Sequence, residues 1–135
     1  MVKTFSYSVK EKLKSRKLLD ELFAAGKSFS VFPVKVFYKE IAEAIDFPVK
    51  AGVGASIRHF KKAVDRNRIK RLLRESYRLH KQPLIDFAVE QDKRIIVFLL
   101  CIDRSIPLQE TLHSKMPVII DKLIKVLSEN HTSNS

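Results

Sequence analysis

Residues 58–81 concentrate the side chains of this chain that could bind phosphate. Ten lysines and arginines lie in this stretch against two acids, Asp65 and Glu75, so it carries +8 of the formal net charge of +11. Arginine dominates, and its planar guanidinium suits bidentate contacts with phosphate oxygens. Like charges held close together oppose folding, and solvated helix faces usually mix both signs. The concentration therefore favours nucleic acid as the partner of this segment.

The same stretch predicts an amphipathic helix from about Val64 to His80. At about 100° per residue, its apolar positions fall on one face. That predicted core stripe consists of Ile69, Leu72, Leu73, Ser76 and Tyr77, and the cations occupy most of the remaining arc. A basic loop, residues 58–62, precedes the helix and follows a predicted strand. A helix-turn-helix protein would instead have a packed helix there, so the arrangement favours docking on a folded RNA.

The groups that could perform acid–base or metal chemistry are scattered. Asp86, Glu90, Asp92 and Asp103 do not form the carboxylate cluster with which a protein nuclease holds Mg²⁺. The four histidines lack the spacing of zinc ligands. Cys101 lies in an apolar run and is predicted to be an unreactive core thiol. No catalytic residue and no metal site is predicted on this chain.

Length and composition indicate one ordinary globular domain. The chain has 135 residues, of which 45% are hydrophobic, enough to form a core. Its longest apolar run, residues 95–102, is far shorter than the roughly 20 residues of a membrane-spanning helix. No secretory signal pattern is recognised in the polar N-terminal residues. With a single cysteine the chain forms no internal disulfide, and a cytoplasmic location is predicted.

Hydrophobic periodicity predicts six elements in the order α-β-β-α-β-α. Gly26 is suited to the end of the first helix, whereas Pro33 should lie at the start, the edge or a bulge of its strand. Gly52 and Gly54 would allow another group to approach the second strand closely. Pro117 should kink the last helix or mark its start. The elements are helix 15–25, strand 29–38, strand 49–57, helix 64–80, strand 95–102 and helix 108–127. Interleaved strands and helices of this kind predict an α+β fold, a two-layer α/β sandwich.

At this point a family resemblance becomes visible. The run Arg66-Asn67-Arg68-Ile69-Lys70-Arg71-Leu72-Leu73-Arg74-Glu75-Ser76-Tyr77-Arg78 resembles the signature helix of the bacterial ribonuclease P protein family. The loop before it, the N-terminal pattern of Leu13, Leu19, Leu22-Phe23 and Gly26, and the order of elements are similar as well. The resemblance covers roughly 13–127. It implies a single domain over 13–127, one further short strand, and a left-handed βαβ crossover, a hand seen in only about 2% of such connections. The polar residues 1–12 and 128–135 on either side are predicted to be flexible ends.

The resemblance also implies a function. Proteins of this family assist a large catalytic RNA, which holds the active site and its Mg²⁺ ions and removes the 5′ leader of precursor tRNA. The implied partners are thus ribonuclease P RNA and precursor tRNA. The side chains expected to face the RNA subunit are Arg58, Lys61, Lys62, Arg66, Asn67, Arg68, Lys70, Arg71 and Arg74. The cleft for the single-stranded leader is expected to contain Leu19, Phe23, Val36 and Tyr38, although Phe23 and Tyr38 could equally be core residues.

Two positions depart from the family pattern, and two other functions remain open. Leu19 stands where the family often has an aromatic residue, and Ile57 stands where it usually has a cation. A structured-RNA-binding protein of ribosomal type would show the same basic helix without any preference for leader-bearing tRNA. Binding to an anionic membrane would require apolar groups beside the cations, and the apolar face of this helix is predicted to be core.

Overall fold

The computed structural model describes residues 11–42 and 47–133, which form four helices and four strands. In chain order these are α1 (Arg16–Ala25), β1 (Lys27–Val31), β2 (Val34–Ile41), β3 (Val49–Ala55), α2 (Ala63–His80), α3 (Gln82–Glu90), β4 (Arg94–Cys101) and α4 (Gln109–Ser133).

The strands form one mixed sheet in the order β1-β2-β4-β3. The pairs β1–β2 and β2–β4 are antiparallel, whereas β3 and β4 are parallel. Because parallel neighbours need a crossover connection, α2 and α3 lie between β3 and β4 in the chain. The α+β architecture is therefore confirmed, and the left-handed sense of the crossover stays a prediction.

The two faces of the sheet are covered unequally. Helices α2, α3 and α4 contribute to the main core, together with the inward side chains of β2, β3 and β4. On the opposite face, Leu18 and Leu22 of α1 pack against Ile41 and Ile96 in a second, smaller cluster. Helix α1 is short, so among the described residues no helix covers much of the second face of the sheet.

Local signals define both ends of α1. The Ser15 hydroxyl accepts a hydrogen bond from the Leu18 amide at 3.2 Å and so caps the first turn. At the other end the Gly26 amide donates to the Leu22 carbonyl at 2.8 Å. A Cβ atom at Gly26 would lie 2.4 Å from that carbonyl oxygen, so the chain can turn into β1 here only with glycine.

The single strand predicted over 29–38 is wrong, because this segment is a hairpin. Phe32 and Pro33 form the turn between β1 and β2, and the Pro33 carbonyl accepts from the Ile102 amide at 2.9 Å. Proline has no amide hydrogen to donate to a ladder, which favours a turn over a strand interior. The hairpin supplies the further strand that the resemblance implied, and α3 was not among the six predicted elements.

The chain ends also differ from prediction. Helix α4 contains Pro117 in its interior and continues to Ser133, whereas an end at 127 was predicted. Residues 1–10 of the predicted flexible N-terminus lie outside the described residues. Glu11 and Lys12, however, pack along the edge of β3, since Lys12 bridges Ala51 and Glu11 is buried.

Candidate nucleic-acid interface

Helix α2 has the two faces that its sequence predicts. Ile69, Leu73, Ser76 and Tyr77 are buried against the sheet and α4, and Leu72 is partly buried beside them. The Ser76 hydroxyl donates to the Leu112 carbonyl of α4 at 3.0 Å, which gives this one polar group of the stripe a partner. The core stripe is thus confirmed, and the opposite side of α2 faces solvent.

The solvent side of α2 and the loop before it form what we call the basic arc. Its exposed members are Arg58, Lys61, Lys62, Asn67, Arg68, Arg71 and Arg74, while Arg66 and Lys70 are partly buried. Several of these side chains line a shallow hollow with Val64 and Asp65. Further along, Glu75 pairs with Arg78 at 2.7 Å, and this hydrogen bond lowers the pKa of the Glu75 carboxyl. Of the two acids in this stretch, Glu75 is therefore already paired with a neighbour.

Arg66 differs from the other cations of the arc because its guanidinium is bonded within the protein. Its Nη1 atom donates to the carbonyl oxygens of Phe60 and Lys61, at 2.8 and 2.9 Å. Phe60 itself is buried in the main core, so the loop is held both by the Phe60 side chain and by the backbone carbonyls that Arg66 binds. Arg66 was expected among the RNA-facing residues, and these bonds to the loop were not predicted.

A second candidate surface lies on the sheet face that α1 only partly covers. The ring of Phe23, which is 50% exposed, makes edge contacts with Phe37 and Phe98, each with centroids 5.2 Å apart. Leu19 is partly buried beside these rings, and the Lys35 ammonium lies 5.2 Å from the Phe37 centroid. We call this group the aromatic cleft. Stacked rings beside a cation are well suited to unstacked nucleobases and their phosphates.

Two of the expected cleft residues lie elsewhere. Val36 is fully buried and Tyr38 is 7% exposed, and both belong to the main core on the other face of the sheet. Burial raises the pKa of the Tyr38 hydroxyl, with a further contribution from Glu129. Successive side chains of a strand point to opposite faces, so these assignments were wrong by one position along β2. The residue of β2 that shares the cleft with Phe23 is Phe37.

Phe37 and Phe98 were not predicted as residues of the cleft, although the sequence contains a usable signal for them. Phe98 interrupts an otherwise aliphatic strand, and Phe37 directly opposes it across the β2–β4 pair. Two aromatic residues in strands with buried aliphatic neighbours indicate a partly exposed patch. Choosing the correct face, however, requires the strand register, which periodicity in a fully apolar run does not supply.

Gly52 and Gly54 provide the close approach that the sequence predicted, and the approaching group is Phe98. A Cβ atom at Gly54 would lie 2.7 Å from Phe98 Cζ, and one at Gly52 would lie 3.0 Å from Phe98 Cδ1. The ring of Phe98 therefore rests on bare backbone of β3. The backbone of β3 thus forms the floor of the aromatic cleft, and the basic loop follows β3 in the sequence.

Substituting Gly54 by alanine should displace the Phe98 ring. We expect a loss of about 1–3 kcal/mol in the free energy of unfolding, because an added methyl group overpacks the contact. Urea denaturation measures this loss. Gly54→Ala combined with Phe98→Leu should recover part of it, since leucine lacks the Cζ atom that clashes. Equal stability of wild type and Gly54→Ala would contradict the close packing.

Other chemistry is limited in the described part of the chain. Within residues 11–42 and 47–133, no three histidine, cysteine, aspartate or glutamate side chains could hold a metal ion together. Cys101 is fully buried, and burial raises the pKa of its thiol, which agrees with the prediction of an unreactive core residue. None of the described helices is long and apolar enough to span a bilayer.

The fold and the two surfaces describe a small α+β protein with a basic helix on one face of its sheet and an aromatic cleft on the other, and the chain is similar to known proteins. The family model named Ribonuclease P matches residues 7–100. A ribonuclease P protein component from Porphyromonas gingivalis is 34% identical over 104 residues, covering 77% of this chain and 76% of that protein. One from Nitrosococcus oceani is 42% identical over 64 residues, covering 47% of this chain and 51% of that protein. The chain belongs to the ribonuclease P protein family.

A solved structure has the same fold. The ribonuclease P protein of Staphylococcus aureus superimposes with a TM-score of 0.61 at 21% identity, covering 84% of this chain and 94% of that one. At such identity the likeness concerns the fold alone. Family membership makes this chain a component of a tRNA-processing ribonucleoprotein that works with an RNA subunit.

Proposed function

We propose that this chain is the protein subunit of ribonuclease P, binding the catalytic RNA through the basic arc and the 5′ leader of precursor tRNA through the aromatic cleft. The observation that carries the proposal is the pairing of these two surfaces. The arc presents exposed cations on a helix whose other face is core. The cleft lies on the opposite face of the sheet, where Phe23, Phe37 and Phe98 form a ring cluster and Phe23 is half exposed.

The two surfaces suit different parts of a nucleic-acid substrate. Arginine and lysine on a rigid helix match phosphates of a folded RNA, whose helices are recognised by shape and backbone. Aromatic rings accept any unstacked base, so they suit a single strand of variable sequence. Ile57, which is 68% exposed, replaces a cation in the loop, and the neighbouring Lys61 and Lys62 supply charge there.

In this proposal no residue of the protein takes part in bond cleavage. The catalytic centre and its Mg²⁺ ions belong to the RNA subunit, as the family resemblance implies. The protein's contribution is binding, because holding the leader against the RNA raises affinity for precursor over mature tRNA. Its cations also replace part of the screening that Mg²⁺ otherwise gives to packed phosphates.

Reconstitution with a bacterial ribonuclease P RNA tests the proposal. At near-physiological Mg²⁺ concentration the protein should increase the rate of 5′-leader cleavage, and the complex should bind precursor tRNA more tightly than mature tRNA. Unchanged cleavage would overturn the proposal. Binding to structured RNA without any preference for the leader would instead indicate a ribosomal type of RNA-binding protein.

Arg71→Ala is expected to weaken binding to the RNA subunit and to lower its salt dependence. One phosphate contact contributes about 0.9 to the slope of log K against log salt concentration, so the slope should fall by about one. Filter binding from low to moderate salt measures it. Lys125→Ala, which removes an exposed cation from α4, is the control and should leave the slope unchanged. Equal slopes for both variants would contradict the role of the arc.

A further inference from the structure

Arg66 makes contacts that separate it from the RNA-binding cations around it. The loop over residues 56–62 links β3 to α2, and Lys62 at the helix N-cap makes no side-chain capping bond. In its place, Arg66 reaches back from the second turn of α2. One nitrogen, Nη1, donates to two consecutive carbonyl oxygens, those of Phe60 at 2.8 Å and Lys61 at 2.9 Å.

We infer that Arg66 is a positioning residue, which holds the basic loop in shape so that Arg58, Lys61 and Lys62 can meet the RNA subunit together. The inference rests on the proposed function and refines it. The two hydrogens of Nη1 are both used by loop carbonyls, and hydrogen bonds from a charged donor are stronger than neutral ones. Arg58, Lys61 and Lys62, by contrast, are exposed at the ends of the segment that Arg66 secures.

The rest of the loop supports the same arrangement. The Phe60 amide donates to the Ser56 carbonyl at 2.9 Å and closes a turn, while the Phe60 ring is 5% exposed in the main core. Phe60 therefore anchors the middle of the loop. Without Arg66, the Phe60 and Lys61 carbonyls between this anchor and α2 would lose both side-chain bonds that orient them. Lysine cannot replace Arg66 here, because an ammonium lacks the planar fork and has a shorter reach.

Limited proteolysis of the free protein tests the structural half of this inference without RNA. Arg66→Lys keeps the charge but should increase the initial rate of tryptic cleavage after Arg58, Lys61 and Lys62 by roughly tenfold, because two charge-assisted bonds are lost. Arg71→Lys is the matched control and should leave that rate unchanged. Circular dichroism should show the same helix content in both variants. An unchanged cleavage rate in Arg66→Lys would overturn the inference.

The salt dependence of binding to a bacterial ribonuclease P RNA tests the functional half. Arg66→Ala should lower the slope by about two to three, because several phosphate contacts weaken together, whereas a lone contact accounts for about one. In an Arg58→Ala/Lys61→Ala/Lys62→Ala background, Arg66→Ala should add little. A loss of about one in both backgrounds would show a direct phosphate contact and overturn the inference. If the wild-type protein does not bind this RNA at all, the proposed function fails, while the proteolysis result still decides what Arg66 does.

Discussion

Replacing Glu11 by alanine should lower the free energy of unfolding by about 3–5 kcal/mol. The Glu11 carboxylate forms an ion pair with the Lys81 ammonium, and the two side chains are only 5% and 3% exposed. Removing one partner of a buried pair leaves the other charge in a poorly solvated site, which costs more than the pair itself contributes. Urea denaturation followed by circular dichroism measures the loss.

An exposed ion pair of the same chain provides the control. Glu21 pairs with Lys39 at 3.0 Å, but these side chains are 33% and 27% exposed. Solvent screening reduces the contribution of such a pair to about 1 kcal/mol or less, so Glu21→Ala should cost little. Equal losses for Glu11→Ala and Glu21→Ala would contradict the importance of burial.

The Glu11–Lys81 pair also matters for the aromatic cleft. It joins the segment before α1 to the junction of α2 and α3, while the Leu13 amide donates to the Ala51 carbonyl at 3.0 Å. These contacts hold the chain against the edge of β3 just before α1 crosses the sheet. Loosening them should therefore move α1, and with it Phe23.

Replacing Phe23 by alanine should reduce the preference of the complex for precursor tRNA over mature tRNA by about 5- to 150-fold. This range corresponds to the roughly 1–3 kcal/mol that one base gains by stacking on an aromatic side chain. Phe23 is 50% exposed, so its ring can meet a base while its edges contact Phe37 and Phe98. Affinities for both tRNAs, measured with the RNA subunit present, give the ratio.

Val118→Ala is a suitable control for this experiment. Val118 is also 50% exposed but belongs to α4, which packs on the other face of the sheet. It should leave the ratio of affinities unchanged. If Phe23→Ala merely unfolds the protein, Phe23 is a core residue. If it weakens binding of both tRNAs equally, the aromatic cleft is not the leader site.

The sequence alone was sufficient for the features that local periodicity controls. The charge and the core stripe of α2 could be predicted because apolar and basic residues repeat with the helical period, and a helix face depends only on its own sequence. Gly26 likewise marks the end of α1 through a bond within one turn. The resemblance to the ribonuclease P protein family depended on the same local pattern, and the match to the family model confirmed it.

Register across strands required the tertiary structure. Val36 and Tyr38 were expected in the cleft, yet Phe37 lies there, since shifting a strand by one residue exchanges its two faces. Both faces of β4 are apolar along most of its length, so alternation in that strand could not indicate which face α1 covers. The hairpin at Phe32 and Pro33 was missed because the apolar residues on either side of the turn form a continuous run.

Helix α2 shows within one element which features the sequence determined and which the tertiary structure decided. Its sequence determined that residues 66–78 carry a cationic arc opposite a core stripe, because both follow from residue type and spacing. Only the tertiary structure separated Arg66 from its neighbours, through bonds to Phe60 and Lys61 that depend on how the loop returns to the helix. The ion pair of Glu11 and Lys81 is similar, since it joins residues 70 positions apart. Neither contact follows from a helix or strand period: the Arg66 bonds depend on the shape of a loop five and six residues away, and the ion pair depends on the packing of distant segments.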